Sequence, residues 1–269
     1  MSAKKLFYTI PYAVWLALFV IVPLILLVFQ ALTNQSGHFT FDNFAAYLSS
    51  GTYLRMTINS VLYAFLITAI TLLISYPTAY FLTQLKHHSF WILIIILPTW
   101  INLLLKAYAF IGLLSKDGTV NSFIQLLGAA PQQLLFTNAS FILVSSYIEI
   151  PFMILPIYNA LTEIDPNLIQ ASRDLGANSW TTLKKVIFPL SLSGVKTGIQ
   201  AVFIPSLSLF MITRLIGGNR VITLGTAIEE HFLSTQNWHM GSTIGVVLVL
   251  AMFITMYLTR DNKKKGGRR

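Results

Sequence analysis

The stretch QASRDLGANSWTTLKKVIFP, Gln170–Pro189, decides how this chain is read. Most of the sequence around it is apolar enough for a lipid bilayer. These residues instead alternate polar and apolar groups at helical spacing, with a glycine in the middle and a proline at the end. Asp165 is a good N-cap and Pro166 suits a first helical position, so a short helix is expected from Pro166 to about Leu175. Leu168, Ile169, Ala171 and Leu175 fall on one side of it, with Gln170, Arg173 and Asp174 on much of the rest. Gly176 takes a left-handed conformation at little cost and ends that helix. Ser179 can cap a second helix carrying Trp180, Leu183, Val186 and Ile187, and Pro189 is expected to close the unit. A helix-turn-helix bracket of this kind has two readings. It lies on the lipid surface as an interfacial hairpin, or it docks into a groove of a soluble partner.

The flanking sequence sets the class. Of 269 residues, 55% are hydrophobic and 10% charged, against about a quarter charged in soluble domains. The expected fold is an all-α integral membrane protein, one membrane domain over residues 1–269. Its six transmembrane helices lie near 10–32, 58–83, 90–114, 138–161, 190–213 and 242–259. The first run follows Lys4 and Lys5 but spans about 22 residues, beyond the ~7–15 of a signal-peptide core, and is read as a retained helix. There is no cysteine, so disulfide and thiol chemistry is excluded. The net charge of +9 does not point to nucleic acid, because the basic residues sit at the ends of apolar runs.

Six spans put both termini on one side. With that side cytoplasmic, the inner segments carry Lys4, Lys5, Lys86, Arg173, Lys184, Lys185, Arg260, Lys263, Lys264, Lys265, Arg268 and Arg269. The outer segments carry only Arg55, Lys116, Arg214 and Arg220. This positive-inside bias places the bracket, between spans four and five, in the cytoplasm of a multi-pass cell-membrane protein. The basic tail after Arg260 is a topology anchor or a contact for anionic lipid. Pro23, Pro77, Pro98, Pro151, Pro156 and Pro205 fall inside spans and are expected to kink them. The pairs Gly194/Gly198 and Gly241/Gly245 allow close helix approach, without saying which helices meet.

The bracket resembles the signature loop of membrane subunits in ATP-binding-cassette importers: Glu-Ala-Ala, three residues, Gly, nine residues, Ile, one residue, Leu-Pro. Here Gln170-Ala171-Ser172 is followed at that spacing by Gly176 and by Val186-Ile187-Phe188-Pro189. Gln170 replaces Glu, Ser172 replaces Ala, Val186 replaces Ile and Phe188 replaces Leu. Without the glutamate, a salt bridge at that position is not expected. The resemblance implies a coupling helix seated in an ATPase subunit, with Gln170, Ala171, Ser172, Asp174, Gly176 and Pro189 as its residues. The chain has no G-x-x-x-x-G-K-[ST] phosphate loop, and Gly194-Val195-Lys196-Thr197 lacks the spacing. ATP and Mg are therefore expected at a partner, no cofactor at this chain, and no enzyme activity of its own.

Within that family the sequence most resembles spermidine/putrescine permeases. The matching residues are Asn59-Ser60, Tyr76-Pro77-Thr78-Ala79-Tyr80, Leu97-Pro98-Thr99-Trp100, Lys106-Ala107-Tyr108, Pro151-Phe152-Met153-Ile154-Leu155-Pro156 and Gly217-Gly218. The resemblance implies two ATPase copies, a second homologous permease and an extracytoplasmic substrate-binding protein. Permeases for iron or sulfate share some of these motifs. A channel or carrier working alone is the rival from another class, and a membrane enzyme lacks any nucleophile–base pairing.

A polycation needs carboxylates and aromatic faces along its path. Glu149 lies mid-span, where a carboxylate costs about 2.5–3.5 kcal/mol on insertion scales. Tyr147, Phe152, Tyr158, Trp100 and Tyr108 are the accompanying aromatic candidates, with packing as their alternative. Lys106 is also intramembrane, and its depth differs from that of Glu149 by only about 4–5 Å. Glu149 is therefore a path residue, a static ion-pair partner of Lys106 or a protonated bystander. The outer loop with Glu229, Glu230, His231 and His239 is a landing surface for the binding protein or ordinary solvated chain. His231 and His239 lack a zinc-site arrangement, and His87 and His88 are expected to serve as polar turn residues.

Overall fold

A computed structural model describes residues 3–260, except for the side chains of residues 3–8 and 219. Lys4, Lys5 and the basic tail Lys263, Lys264, Lys265, Arg268 and Arg269 thus lie outside the described side chains. Inside a bilayer only helices and closed barrels satisfy every backbone group. Among the described residues there is no strand, only an isolated bridge between Thr33 and Phe39.

Five helices are long and apolar enough to cross a membrane: α1 (Thr9–Ala31), α2 (Gly51–Leu82), α5 (Asn138–Thr162), α7 (Ser179–Ser206) and α8 (Trp238–Leu258). The sixth expected span is broken. α3 (His88–Trp100) meets the segment that opens with α4 (Leu103–Leu114) at 92°. The chain tightens to a 3₁₀ turn over Leu97–Trp100, with Pro98 inside it, and Ile101 is extended. Asn102 then starts a new helix by accepting the Leu104 N–H at 2.8 Å. A proline without its donor and a polar cap override the apolar continuity of residues 90–114.

α5 is the axis: 61% of its membrane window is buried, against none of α1's. α2 and α7 both pack on α5 and against each other, and Phe141, Val144, Met153, Ile154 and Ile157 fill the seam. Lipid is as apolar as leucine, so close packing rather than exclusion of water holds this core. The first glycine pair shows how. A Cβ at Gly194 would stand 2.5 Å from both Ala160 Cβ and the Pro156 carbonyl oxygen, and one at Gly198 2.6 Å from Met153 Sδ. The partner of that pair is therefore α5. The second pair divides its contacts, Gly241 facing Phe232 and Gly245 facing Leu27 of α1.

Two prolines are carried by widened turns. A π-helical turn over Ala17–Ile21 precedes Pro23, and another over Leu183–Ile187 precedes Pro189. In each, the residue before the proline bonds five positions back: Val22 N–H to the Ala17 carbonyl and Phe188 N–H to the Leu183 carbonyl. The wider ring makes room for a residue that lacks a donor. Pro189 consequently does not close the bracket. α7 starts inside it at Ser179, runs through the proline, and stops at Ser206 instead of near 213.

Candidate functional site

Between α5 and α7 the chain forms α6 (Pro166–Asp174), opened by Asp165, whose carboxylate accepts the Asn167 N–H at 2.9 Å. It ends in a Schellman turn. Gly176 has φ +82°, its N–H bonds the Arg173 carbonyl at 2.8 Å, and Ala177 N–H bonds the Ser172 carbonyl at 3.1 Å. Asn178, not Ser179, caps the next helix: its Oδ1 accepts the Thr181 N–H at 2.8 Å. Asparagine reaches the third amide from one position earlier, so Ser179 becomes the first helical residue.

The limbs are joined inside by Ser172 Oγ and Thr182 Oγ1, 2.7 Å apart and buried. Ser172 is thus an internal brace, whereas Gln170, Ala171, Asp174, Gly176 and Pro189 are exposed. Two bare apolar side chains stand out: Leu175, 89% exposed, and Trp180, 69% exposed. Leu168 is also exposed. Leu175 and Trp180 stand on either side of the Schellman turn, and both are left outside.

The mid-membrane candidates separate into two groups. Tyr147 lines a cavity of about 210 Å³ with Ile94, Pro98, Thr99, Lys106 and Pro151, between the broken span and α5. Its ring meets Phe110 edge-on at 5.1 Å. Trp100, Tyr108 and Phe152 are likewise exposed on the flank of the subunit. Tyr158 is instead buried, 6.4 Å from the His88 ring. Glu149 is buried as well, between Ile148 and Ile150 of the cavity wall, and its carboxylate and the Lys106 ammonium act on each other through space. Among the described residues neither Lys106 nor Glu149 belongs to an ion pair within 4.0 Å. Sequence reading passed over three buried serines, Ser145 and Ser146 one turn before Glu149 on α5 and Ser206 at the end of α7, whose hydroxyls have no hydrogen-bond partner among the described residues. Serine is common in membrane helices, and only the neighbours reveal an idle hydroxyl.

On the outer side Arg214 Nε and Glu229 Oε2 form an ion pair at 2.7 Å. His231 Nε2 and the Tyr53 hydroxyl are 2.8 Å apart. Burial holds the His231 imidazole below its ordinary pKa, with the Glu230 carboxylate acting in the other direction. His239 Nδ1 lies 3.0 Å from the Gln30 carbonyl, tying α8 to the end of α1. These histidines join helices to loops. Among the described residues no group of three His, Cys, Asp or Glu is placed to hold a metal ion.

No family model matches the chain. It is 33% identical over 261 residues to the spermidine/putrescine transport system permease protein PotB of Haemophilus influenzae, covering 93% of this chain and 91% of that protein. It is 32% identical over 248 residues to the PotB permease of Escherichia coli, covering 88% and 90%. Among solved structures, a bacterial ABC transporter that imports the acidic polysaccharide alginate superposes with a TM-score of 0.81. The identity there is 20%, with 97% of both chains covered, a likeness of fold alone.

Proposed function

Because the chain belongs to the family of spermidine/putrescine transport permeases, we propose that it is the membrane-spanning subunit of an ATP-driven polyamine importer. It works with a second, homologous permease, two copies of an ATPase that uses ATP and Mg, and an extracytoplasmic binding protein. Both termini and the α6–α7 bracket face the cytoplasm.

The observation that carries this reading is mechanical. The bracket has bare apolar side chains for a partner to cover, and its backbone is capped at both turns. Its second limb is the start of α7 itself, continuous to Ser206. Closure of the ATPases displaces the bracket, and α7 transmits the displacement into the core against α5. The π turn over Leu183–Ile187 is the weakest point of that lever, because its bonds depart from the ordinary helical register. Trp100, Tyr108, Tyr147 and Phe152, open on the subunit flank, supply aromatic faces along the path of a polycation.

Reconstitution of the complete complex tests the proposal. Spermidine or putrescine, delivered by the binding protein, is expected to stimulate ATP hydrolysis, and sulfate is not. Crosslinks from Ala171 should reach the ATPase. A complex stimulated by sulfate and indifferent to both polyamines would overturn the substrate; an isolated chain that transports without any ATPase would overturn the machine.

A further inference from the structure

A serine or threonine inside a helix ordinarily donates to a carbonyl one turn back. α2 follows that habit, with Thr68 donating to the Ala64 carbonyl at 2.7 Å and Thr71 to the Ile67 carbonyl at 2.6 Å. Ser145, Ser146 and Ser206 do not, although they are only 0%, 3% and 1% exposed. One turn along α5 from the first two stands Glu149, 5% exposed, its carboxylate without a hydrogen bond or ion pair among the described residues. Helical spacing sets Ser145 and Ser146 on either side of it, about 40° and 60° away around the axis.

The helix registers bring the other groups to the same level. α7 runs antiparallel to α5, with Gly194 against Ile157 and Gly198 against Met153. Continuing that register brings Ser206 level with Ser145. α2 runs parallel to α5, and Ser75 Oγ donates to the Ile150 carbonyl at 3.4 Å, which brings Thr71 level with Ser146. Three helices therefore enclose a polar layer holding one carboxylate and three idle hydroxyls. A buried polar atom without a partner is costly, and several at one level mark a site rather than a packing fault.

We propose that this layer receives one primary ammonium group of the transported polyamine, with Glu149 supplying the countercharge and Ser145, Ser146 and Ser206 accepting its N–H bonds. A primary ammonium has three donors and no acceptor, which suits a set made of hydroxyl and carboxylate oxygens. The inference rests on the polyamine reading above. It also gives the lever a task. Ser206 ends α7, so a tilt of α7 separates it from Ser145 and opens or dismantles the receptor, and binding strength becomes tied to the ATPase cycle.

Uptake kinetics in proteoliposomes carrying the whole complex test it, with putrescine and its bis-trimethylammonium analogue, which keeps the charge and has no N–H donor. The wild type is expected to prefer putrescine by at least about tenfold in kcat/KM. Ser145→Ala and Ser146→Ala should each raise the putrescine KM by about tenfold and narrow that preference, as expected for lost hydrogen bonds to a charged group. Glu149→Gln should abolish uptake of both. Co-purification of the ATPase checks assembly of each variant. If the wild type transports putrescine and the serine variants match it in KM and preference, the site falls while the importer stands. If Glu149→Gln transports normally, the site falls likewise. If the wild type ignores polyamines altogether, the functional reading falls and takes the site with it.

Discussion

The cytoplasmic bracket and the middle of α5 invert the usual arrangement of a protein in opposite ways. In the bracket the backbone is fully capped, yet Leu175 and Trp180 are left bare. Around the middle of α5 the helices are packed, yet among the described residues Glu149 has no hydrogen bond and the hydroxyls of Ser145, Ser146 and Ser206 have no partner. Buried polar groups and exposed apolar ones are the informative departures from ordinary burial. Each region is complete in the interaction it makes with itself and incomplete in the kind its visitor brings. α7 belongs to both, starting in the first and ending beside the second.

The comparison breaks most sharply at Gly176. Its φ of +82° is closed to proline, whose ring locks φ near −65°, and proline also removes the N–H that bonds Arg173. Gly176→Pro is expected to abolish capture of the ATPase while the protein still inserts, as read by co-purification from membranes. Normal capture would mean that the bracket's shape is irrelevant to docking. The core answers next, at Gly194. The atoms that a side chain would meet are the Pro156 carbonyl and Ala160 Cβ, neither at the end of a flexible chain. Gly194→Val should destabilise the α5–α7 pair by about 1–3 kcal/mol, visible as a lower midpoint of thermal unfolding in detergent. Gly245→Ala meets only the end of Leu27, 3.1 Å away, and should change that midpoint far less.

Two smaller effects sharpen the contrast. Trp180→Ala removes the largest bare side chain of the bracket and should weaken ATPase association by about tenfold, the scale of an interface anchor, without lowering the unfolding midpoint. Ser172→Ala should do the reverse. It strands the Thr182 hydroxyl and costs about 1 kcal/mol in stability, while direct contact with the ATPase is untouched. The double variant Ser172→Ala/Thr182→Val, lacking both hydroxyls, should recover part of that loss. Equal effects of Trp180→Ala and Ser172→Ala on association would erase the distinction between the bracket's face and its brace.

The sequence by itself determined the class of protein, the approximate spans, the short helix after Asp165 and the turn at Gly176. Hydropathy, capping and a left-handed glycine act between residues close in the chain, so their effects are legible in one dimension. It also carried the resemblance to polyamine permeases, and the relatives' similarity over most of the chain shows that family. Only the tertiary structure decided that Gly194 and Gly198 meet α5 and that Ser75 of α2 reaches the Ile150 carbonyl. Those are matters of register between helices far apart in sequence, set by which packing leaves the fewest gaps. The broken third span and the unbroken passage through Pro189 belong to the same category. A proline interrupts or merely widens a helix according to whether the neighbouring turns can rearrange their bonds, and no window of residue types records that.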